Sequence, residues 1–520
     1  LVATLCAFGR LAPAGARLIE THISYVLLTG ACAYKIKKAI RLPFLDFGTL
    51  DARQRFCERE VALNRRFAPG LYLGVVPITG STEAPIVGGA GPAIEYAVKM
   101  REFPQDALLS SVLARGELNR GHIDALIVHL AAFHRDAAVA AAGSTQGDPG
   151  RILDLALANF CEIAPLLSPP DRTTIVALEA WTRREHKART GEFARRQAEG
   201  AIRECHGDLH LANIVLIGGQ PTLFDGVEFN DAMRWIDVVS EVAFTIMDLE
   251  HRGERGLACR LLSGYLEGTG DYAGCAVLRF YLVYRAMVRA KVACLRAQQL
   301  TDSDARSAAW NEFHAYLALA AGYTDLPRRM LMVMHGLSGC GKSWLSERLV
   351  ECVGAVRIRT DVERKRLAGL AANARSGSSL DSGLYAPETT HRIYEHALTC
   401  AGAVVEGNFA VVVDATFLQR WQRRLARDQA HRLGAGFLLI DCTASMATLR
   451  TRLVARAQGV DDASEAGLSV LEHQVATREV LGRDELCQTI ACDTEDAQVA
   501  ANACRAICER IGLTASSPGG

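Results

Sequence analysis

Two runs of residues in this chain have the types and spacing for handling phosphate. Gly336-Leu337-Ser338-Gly339-Cys340-Gly341-Lys342-Ser343 fits GxxxxGK(S/T) in full. Its glycines let successive backbone N–H groups wrap an anion, and a helix starting behind the loop adds the positive end of its dipole. Lys342 would reach the outer phosphates of a nucleotide, and the Ser343 hydroxyl would bind its Mg²⁺. The second run is His206-Gly207-Asp208-Leu209-His210-Leu211-Ala212-Asn213, followed by Leu223-Phe224-Asp225-Gly226. Asp208 has the chemistry to orient or deprotonate a hydroxyl. Asn213 and Asp225 supply oxygens of the kind that hold Mg²⁺.

Each run has candidate helpers. Val411-Val412-Val413-Asp414 is a buried-strand pattern ending in a carboxylate, which makes Asp414 a second metal-side group for the glycine-rich loop. Asp361, in Arg359-Thr360-Asp361, could take the proton of an acceptor hydroxyl, or cap a helix over 362–370; the two roles are compatible. Arg452 and Arg456 stand four apart, spaced either to close as a lid over the terminal phosphate or to form a solvated helix face. Arg450 lies nearby, and Arg420 is a further anion-binding candidate. For the second run, the candidate phosphate lysine is Lys35 in Ala33-Tyr34-Lys35, with Lys37 on the same strand face as its alternate. Glu60 is the expected partner of that lysine, with Glu58 second. His210 reads as a brace of its own loop, and His22 and His134 as ordinary histidines.

The elements that must position these residues follow from periodicity. Residues 23–40 alternate around Gly30 as a β-hairpin, 51–67 have helical spacing, and Leu71 to Ile78 and Ile94 to Met100 are strand-like. Residues 106–200 are mostly helical, with polar breaks at 143–150 and 168–170. A small β patch spans 214–229, and helices fill 236–322. After Gly322-Tyr323-Thr324-Asp325-Leu326-Pro327 the texture changes. Strands at 330–335, 355–359, 410–414 and 436–441 alternate with helical patterns, which indicates a parallel α/β sheet. The boundary belongs at 326/327: residues 1–326 form one domain, with a small lobe over about 17–100 and a helical lobe over about 101–326, and residues 327–520 form the other. No internal repeat relates the halves.

The 520 residues are 49% hydrophobic and 22% charged, a globular mix with ample core. The 58 basic and 58 acidic side chains cancel, which argues against a dedicated nucleic-acid or anionic-membrane binder. The 16 cysteines are scattered through apolar runs, as expected of small buried hydrophobes in a reducing compartment. The densest group, Cys487, Cys492, Cys504 and Cys508, lacks the close CxxC spacing of a zinc knuckle, and no metal is expected there. The first residues carry no basic stretch ahead of an apolar one, and no run of about 18 apolar residues occurs. A cytoplasmic protein without a membrane partner is the expectation.

The run His206–Ile214 is similar to the signature of the aminoglycoside phosphotransferase family, which has HGD where protein kinases have HRD. That resemblance extends over roughly residues 17–325 and implies a two-lobed, α+β protein-kinase-like domain with ATP in its cleft. It also implies a small-molecule hydroxyl as acceptor, and a structural role for Asp237. The sequence departs from the kinase pattern in having no GxGxxG ahead of Lys35. Arg279, Arg285, Arg289, Lys291 and Arg296 crowd one helix, either serving an anionic acceptor or pairing with acidic surface, so a polycationic aminoglycoside is not the expected substrate. Residues 330–510 resemble the small P-loop kinases grouped with zeta toxins, gluconate kinases and polynucleotide 5′-kinases, of the AAA type. The combined expectation is a bifunctional kinase using ATP and Mg²⁺ on the hydroxyls of small molecules. The alternatives are a P-loop ATPase or kinase regulated by a pseudokinase-like N-terminal half, and a nucleic-acid end kinase.

Overall fold

The computed structural model describes residues 1–7, 17–42, 45–326, 329–374, 383–457 and 466–511. By packing, the chain divides into two compact units: residues 1–152 with 193–248, and residues 153–192 with 249–520. The second unit thus holds helices from before residue 326 together with the whole parallel sheet. Residues 327 and 328, where the expected domain boundary falls, lie outside the described residues.

The first unit is built on an antiparallel sheet of β1 (Arg17–Glu20), β2 (Ser24–Leu28), β3 (Cys32–Lys37), β4 (Tyr72–Gly80), β5 (Pro85–Val87) and β6 (Ala93–Arg101). Its spatial order is β1-β2-β3-β6-β4-β5. β1 and β5, both short and at the edges, were not legible from alternation. Leu27, Ile36, Ile78 and Ala97 are buried together in its core. Helix α1 (Leu50–Asn64) begins where the Thr49 hydroxyl accepts the Ala52 N–H, with Asp51 in the first turn complementing the helix dipole. α2 (Arg120–Asp136) starts in the same way on Asn119. The chain leaves this unit within α3 (Pro149–Ile163) and returns within α4 (Pro169–Ala198). There follow β7 (Ile202–Glu204), the hairpin β8 (Ile214–Ile217) and β9 (Gln220–Leu223), β10 (Trp235–Asp237) paired with β7, and α5 (Val238–His251).

In the second unit, α6 (Arg255–Thr269), α7 (Cys275–Gln299) and α8 (Ser303–Thr324) lead to β11 (Met330–His335), α9 (Lys342–Val353), β12 (Ala355–Arg359), α10 (Thr360–Leu367), α11 (Pro387–Glu406), β13 (Ala410–Asp414), α12 (Arg420–Arg432), β14 (Gly436–Thr443), α13 (Met446–Ala457), α14 (Leu468–Thr477), β15 (Thr489–Asp493) and α15 (Val499–Ile511). The sheet is wholly parallel in the order β12-β13-β11-β14-β15, as an α/β P-loop fold requires. β11 is a continuous apolar run because both its faces are covered. The fifth strand, β15, went unread because its segment lacks such a run.

One correction concerns side chains. Cys504 is joined to Cys352 in a disulfide linking α15 to α9, so not every cysteine is an unpaired hydrophobe. The partners are separated by 152 residues, and spacing along the chain carries no signal for such a meeting. The basic helix α7 is tied to nearby protein groups. Arg279 donates to the carbonyls of Tyr323 and Asn408 at 3.0 and 2.9 Å, and Lys291 meets Glu162 at 3.3 Å. Arg289 and Arg296 both approach Glu312. Among the described residues, no helix is long and apolar enough to cross a membrane.

Candidate active sites

In the first unit, the pleat of β3 turns Lys35 and Lys37 to one side, and α1 presents Glu60 between them. Lys35 Nζ lies 2.9 Å from one Glu60 carboxylate oxygen and Lys37 Nζ lies 2.6 Å from the other. Lys35 also donates to Asp225 and Lys37 to Glu228. Both lysines therefore engage the glutamate. Burial raises the Glu60 carboxyl, but Lys35 and Lys37 outweigh it and bring it down to about 2. Lys35 stays above the ordinary lysine range despite burial, held there by Asp225 and Glu60.

The loop carrying Asp208 is fixed from beneath. Glu241 on α5 accepts the backbone N–H groups of His206 and Gly207 at 2.9 and 2.7 Å, and Asp248 accepts that of Leu211 at 2.9 Å. Gly207 has φ +91°, and a Cβ there would lie 2.7 Å from the Met233 carbonyl oxygen, so this position excludes any side chain. Asn213 Nδ2 donates to the Asp208 carbonyl at 2.8 Å and to its carboxylate at 3.1 Å, which brings the expected base and metal ligand together. His206 Nε2 lies 2.7 Å from the Phe224 carbonyl oxygen while its Nδ1 accepts the Asp208 N–H at 3.3 Å. The neutral Nε2–H imidazole satisfies both, and burial pushes its pKa below the usual histidine range. Asp225 is held at φ +64°, its N–H donating to the Tyr72 hydroxyl at 2.9 Å.

His210 caps its own loop by accepting the Ala212 N–H. Asp237 forms a buried pair with Arg196 at 2.7 Å. His134, read as ordinary, instead lies 3.3 Å from Glu241 and so stands behind the Asp208 loop. At the β2–β3 turn, the Thr29 and Gly30 N–H groups both donate to the Glu102 carboxylate, at 2.8 and 2.7 Å. Glu228, Glu241 and Glu102 were missed in the sequence. Acidic residues scattered along it give no sign of which will meet a distant loop.

The second unit brings nine of its expected residues around one cavity of about 500 Å³, while Gly336, Leu337 and Cys340 are not among the residues that line it. Ser338, Gly339, Gly341, Lys342, Ser343, Asp361, Asp414, Arg452 and Arg456 all line it. Gly336, Gly339 and Gly341 have φ between +85° and +135°, and a Cβ on Gly336 would sit 2.3 Å from the Cys442 carbonyl oxygen. Lys342 folds over the loop, donating to the carbonyls of Gly336 and Leu337 at 2.9 and 2.8 Å. Its Nζ and the Cys442 thiol adjoin Cys340; the Cys442 hydrogen bond in particular brings the Cys340 thiol down to about 6 and leaves that of Cys442 raised. The hydroxyl donating to Asp414 at 3.0 Å is that of Ser346, one turn beyond Ser343.

Asp361 is the second residue of α10, whose N-cap is Arg359, so Asp361 lines the cavity from within the first turn and does not cap the helix. Arg452 donates to the Thr494 hydroxyl and carbonyl at 2.8 and 3.0 Å, and Arg456 to the Ala466 carbonyl at 2.6 Å. Arg420 meets Asp484 at 3.3 Å and is not among the cavity-lining residues. Sequence reasoning missed Tyr394, His473 and Gln474. The Gln474 side-chain carbonyl accepts the Ser338 N–H at 2.8 Å, one of the amides expected to face phosphate. No motif marks these residues; α11 and α14 deliver them from far along the chain.

Residues 331–481 match the family model AAA_33, described as an AAA domain. The chain is similar to a gluconokinase from Sinorhizobium meliloti 1021, with 21% identity, 36% of this chain and 95% of that one covered, and a TM-score of 0.25. It is also similar to a choline kinase from Cryptosporidium parvum, with 11% identity, 62% and 96% of the two chains covered, and a TM-score of 0.38. The chain is 34% identical over 451 residues to "Uncharacterized protein Rv2004c" of Mycobacterium tuberculosis, covering 86% of this chain and 87% of that protein. That 34% identity, over 86% of this chain and 87% of the other, identifies the chain as a member of the Rv2004c family.

Proposed function

We propose that the chain is a bifunctional ATP-dependent phosphotransferase, with one site in each unit and small-molecule hydroxyls as acceptors. The observation that supports this reading is that each unit brings together, from separate segments, charged and polar residues of the types expected to handle phosphate. In the first unit, two ammonium groups (Lys35, Lys37) meet three carboxylates (Glu60, Asp225, Glu228), which leaves one excess negative charge suited to a divalent cation. Asn213 and Asp225 are the groups to hold Mg²⁺, Lys35 the group to hold ATP phosphate, and Asp208 the acceptor for the hydroxyl proton. In the second, the 336–343 backbone and Lys342 suit the phosphates, Ser343 and Asp414 suit Mg²⁺, Arg452 and Arg456 flank the loop, and Asp361 is the candidate base. The cavity is of ligand size. Mg²⁺ supplies charge neutralisation when bound; positioning and proton acceptance are left to the chain.

One observation favours a second reading for the first unit. The amides of the β2–β3 turn that precedes Lys35 in the chain are engaged by Glu102, which suits a ligand-sensing module that does not turn over ATP. The test is Mg·ATP consumption by the full chain with a panel of sugars, nucleosides and phosphorylated metabolites, alongside Lys342→Ala and Asp208→Ala. Two separate acceptor-dependent activities, each lost with one substitution, are expected. If Asp208→Ala is silent while Lys342→Ala abolishes all turnover, the first unit is regulatory and the bifunctional reading fails.

A further inference from the structure

In the second unit, outside the residues that line its cavity, Glu363 on α10 meets His396 and Cys400 on α11. The two α11 residues are four apart, so their side chains leave one face of the helix. A Glu363 carboxylate oxygen lies 3.3 Å from His396 Nε2, and Cys400 Sγ lies 3.6 Å from the same nitrogen. All three donor atoms fall within 4.8 Å of one another. A nucleophilic relay would place the thiol on one ring nitrogen and the carboxylate on the other. Here both converge on Nε2, and that convergence leaves a common point among three ligand atoms.

Imidazole, thiolate and carboxylate are together the donor set of zinc. Zinc's usual bond lengths, about 2.0 Å to oxygen and nitrogen and about 2.3 Å to sulfur, fix the edges of a tetrahedral site: about 3.3 Å for N···O and about 3.5 Å for N···S. The observed edges are 3.3 and 3.6 Å. Glu363 is oriented from behind, with the Tyr272 hydroxyl donating to its other oxygen at 3.0 Å and Arg366 Nε lying 3.1 Å from the ligand oxygen. The His396 side chain is 32% exposed, so solvent can reach the fourth position.

We propose that Glu363, His396 and Cys400 form a zinc site. None of the three lines the nucleotide cavity, and the assignment stands apart from the proposed phosphotransfer. The ion would tie α10, which carries Asp361, to α11, which carries Tyr394. Thiol and imidazole bind deprotonated, so their protons pass to the buffer on loading.

The test is titration of the chelator-treated full chain with Co²⁺ alone, read by absorption. One equivalent is expected to give tetrahedral d–d bands and a thiolate-to-cobalt charge-transfer band, both removed by Zn²⁺. Cys400→Ser should lose the charge-transfer band, and His396→Gln should weaken Co²⁺ binding at least tenfold, with circular dichroism unchanged. In the unaltered chain, Zn²⁺ should slow alkylation of Cys400 at least tenfold, resolved from the other thiols by peptide mass spectrometry. A charge-transfer band that survives Cys400→Ser, or Cys400 alkylated equally fast with and without Zn²⁺, would overturn the assignment.

Discussion

His206 is buried with both ring nitrogens engaged, and its neutral form holds the Asp208 backbone to the Phe224 turn. Because its pKa is depressed on folding, its contribution is complete above the ordinary histidine range and is lost as pH falls through the folded value. Activity that depends on Asp208 should therefore fall on acidification before activity that depends on Lys342 does; parallel pH–rate profiles for the two acceptor classes check this. Glu60 makes a sharper case. Its folded pKa of about 2 means that its stabilisation is present above the unfolded carboxyl value and disappears as pH falls toward 2. Glu60→Gln keeps the shape but leaves Lys35 and Lys37 short of a buried counter-charge. A loss of about 3–5 kcal/mol is expected from denaturant unfolding of the full chain. A loss under about 1 kcal/mol would mean that Asp225 and Glu228 suffice.

At the scale of elements, the second unit depends on contacts that a reading of strands and helices omits. α15 is bonded to the P-loop helix α9 through Cys352–Cys504, closing a separation of 152 residues. In the chain-entropy picture such a loop stabilises by up to about 5 kcal/mol. Cys504→Ala, or full reduction, should lower the melting temperature of the second unit and leave that of the first unchanged, as resolved by calorimetry. α6 lies along the same sheet: Ser263 accepts the Arg357 N–H of the edge strand β12 at 3.0 Å, and Arg260 meets Glu347 and Glu351 of α9 at 2.7 and 3.1 Å. These bonds cover an edge that would otherwise expose unpaired backbone groups. The helical pattern of 236–322 was plain in the sequence; its role as a cover for β12 was not, because amphipathic spacing says that a face is buried and not against what.

At the scale of the whole molecule, the two regions proposed to handle phosphate, 1–326 and 327–520, do not coincide with the two compact units. We propose that 326/327 remains the boundary between two functions, although the second unit includes helices that precede it. Residues 327–520 expressed alone should accordingly melt several degrees below the same unit in the full chain, or aggregate; equal stability would show that α6 to α8 contribute little. The sequence by itself determined the candidate groups whose proposed chemistry depends on neighbours along the chain. The phosphate loop needs glycines at fixed steps before a helix, and Asp208 and Asn213 must share one short loop, so both are written in consecutive residues. Only the tertiary structure decided what depends on distant segments: both lysines on Glu60, Glu241 beneath the Asp208 loop, Gln474 on the Ser338 amide, the Cys352–Cys504 bond, and the meeting of Glu363 with His396 and Cys400. Hydrogen-bonding and ligand geometry act over a few ångströms of space, and spacing along the chain records that distance only inside a single helix, strand or turn.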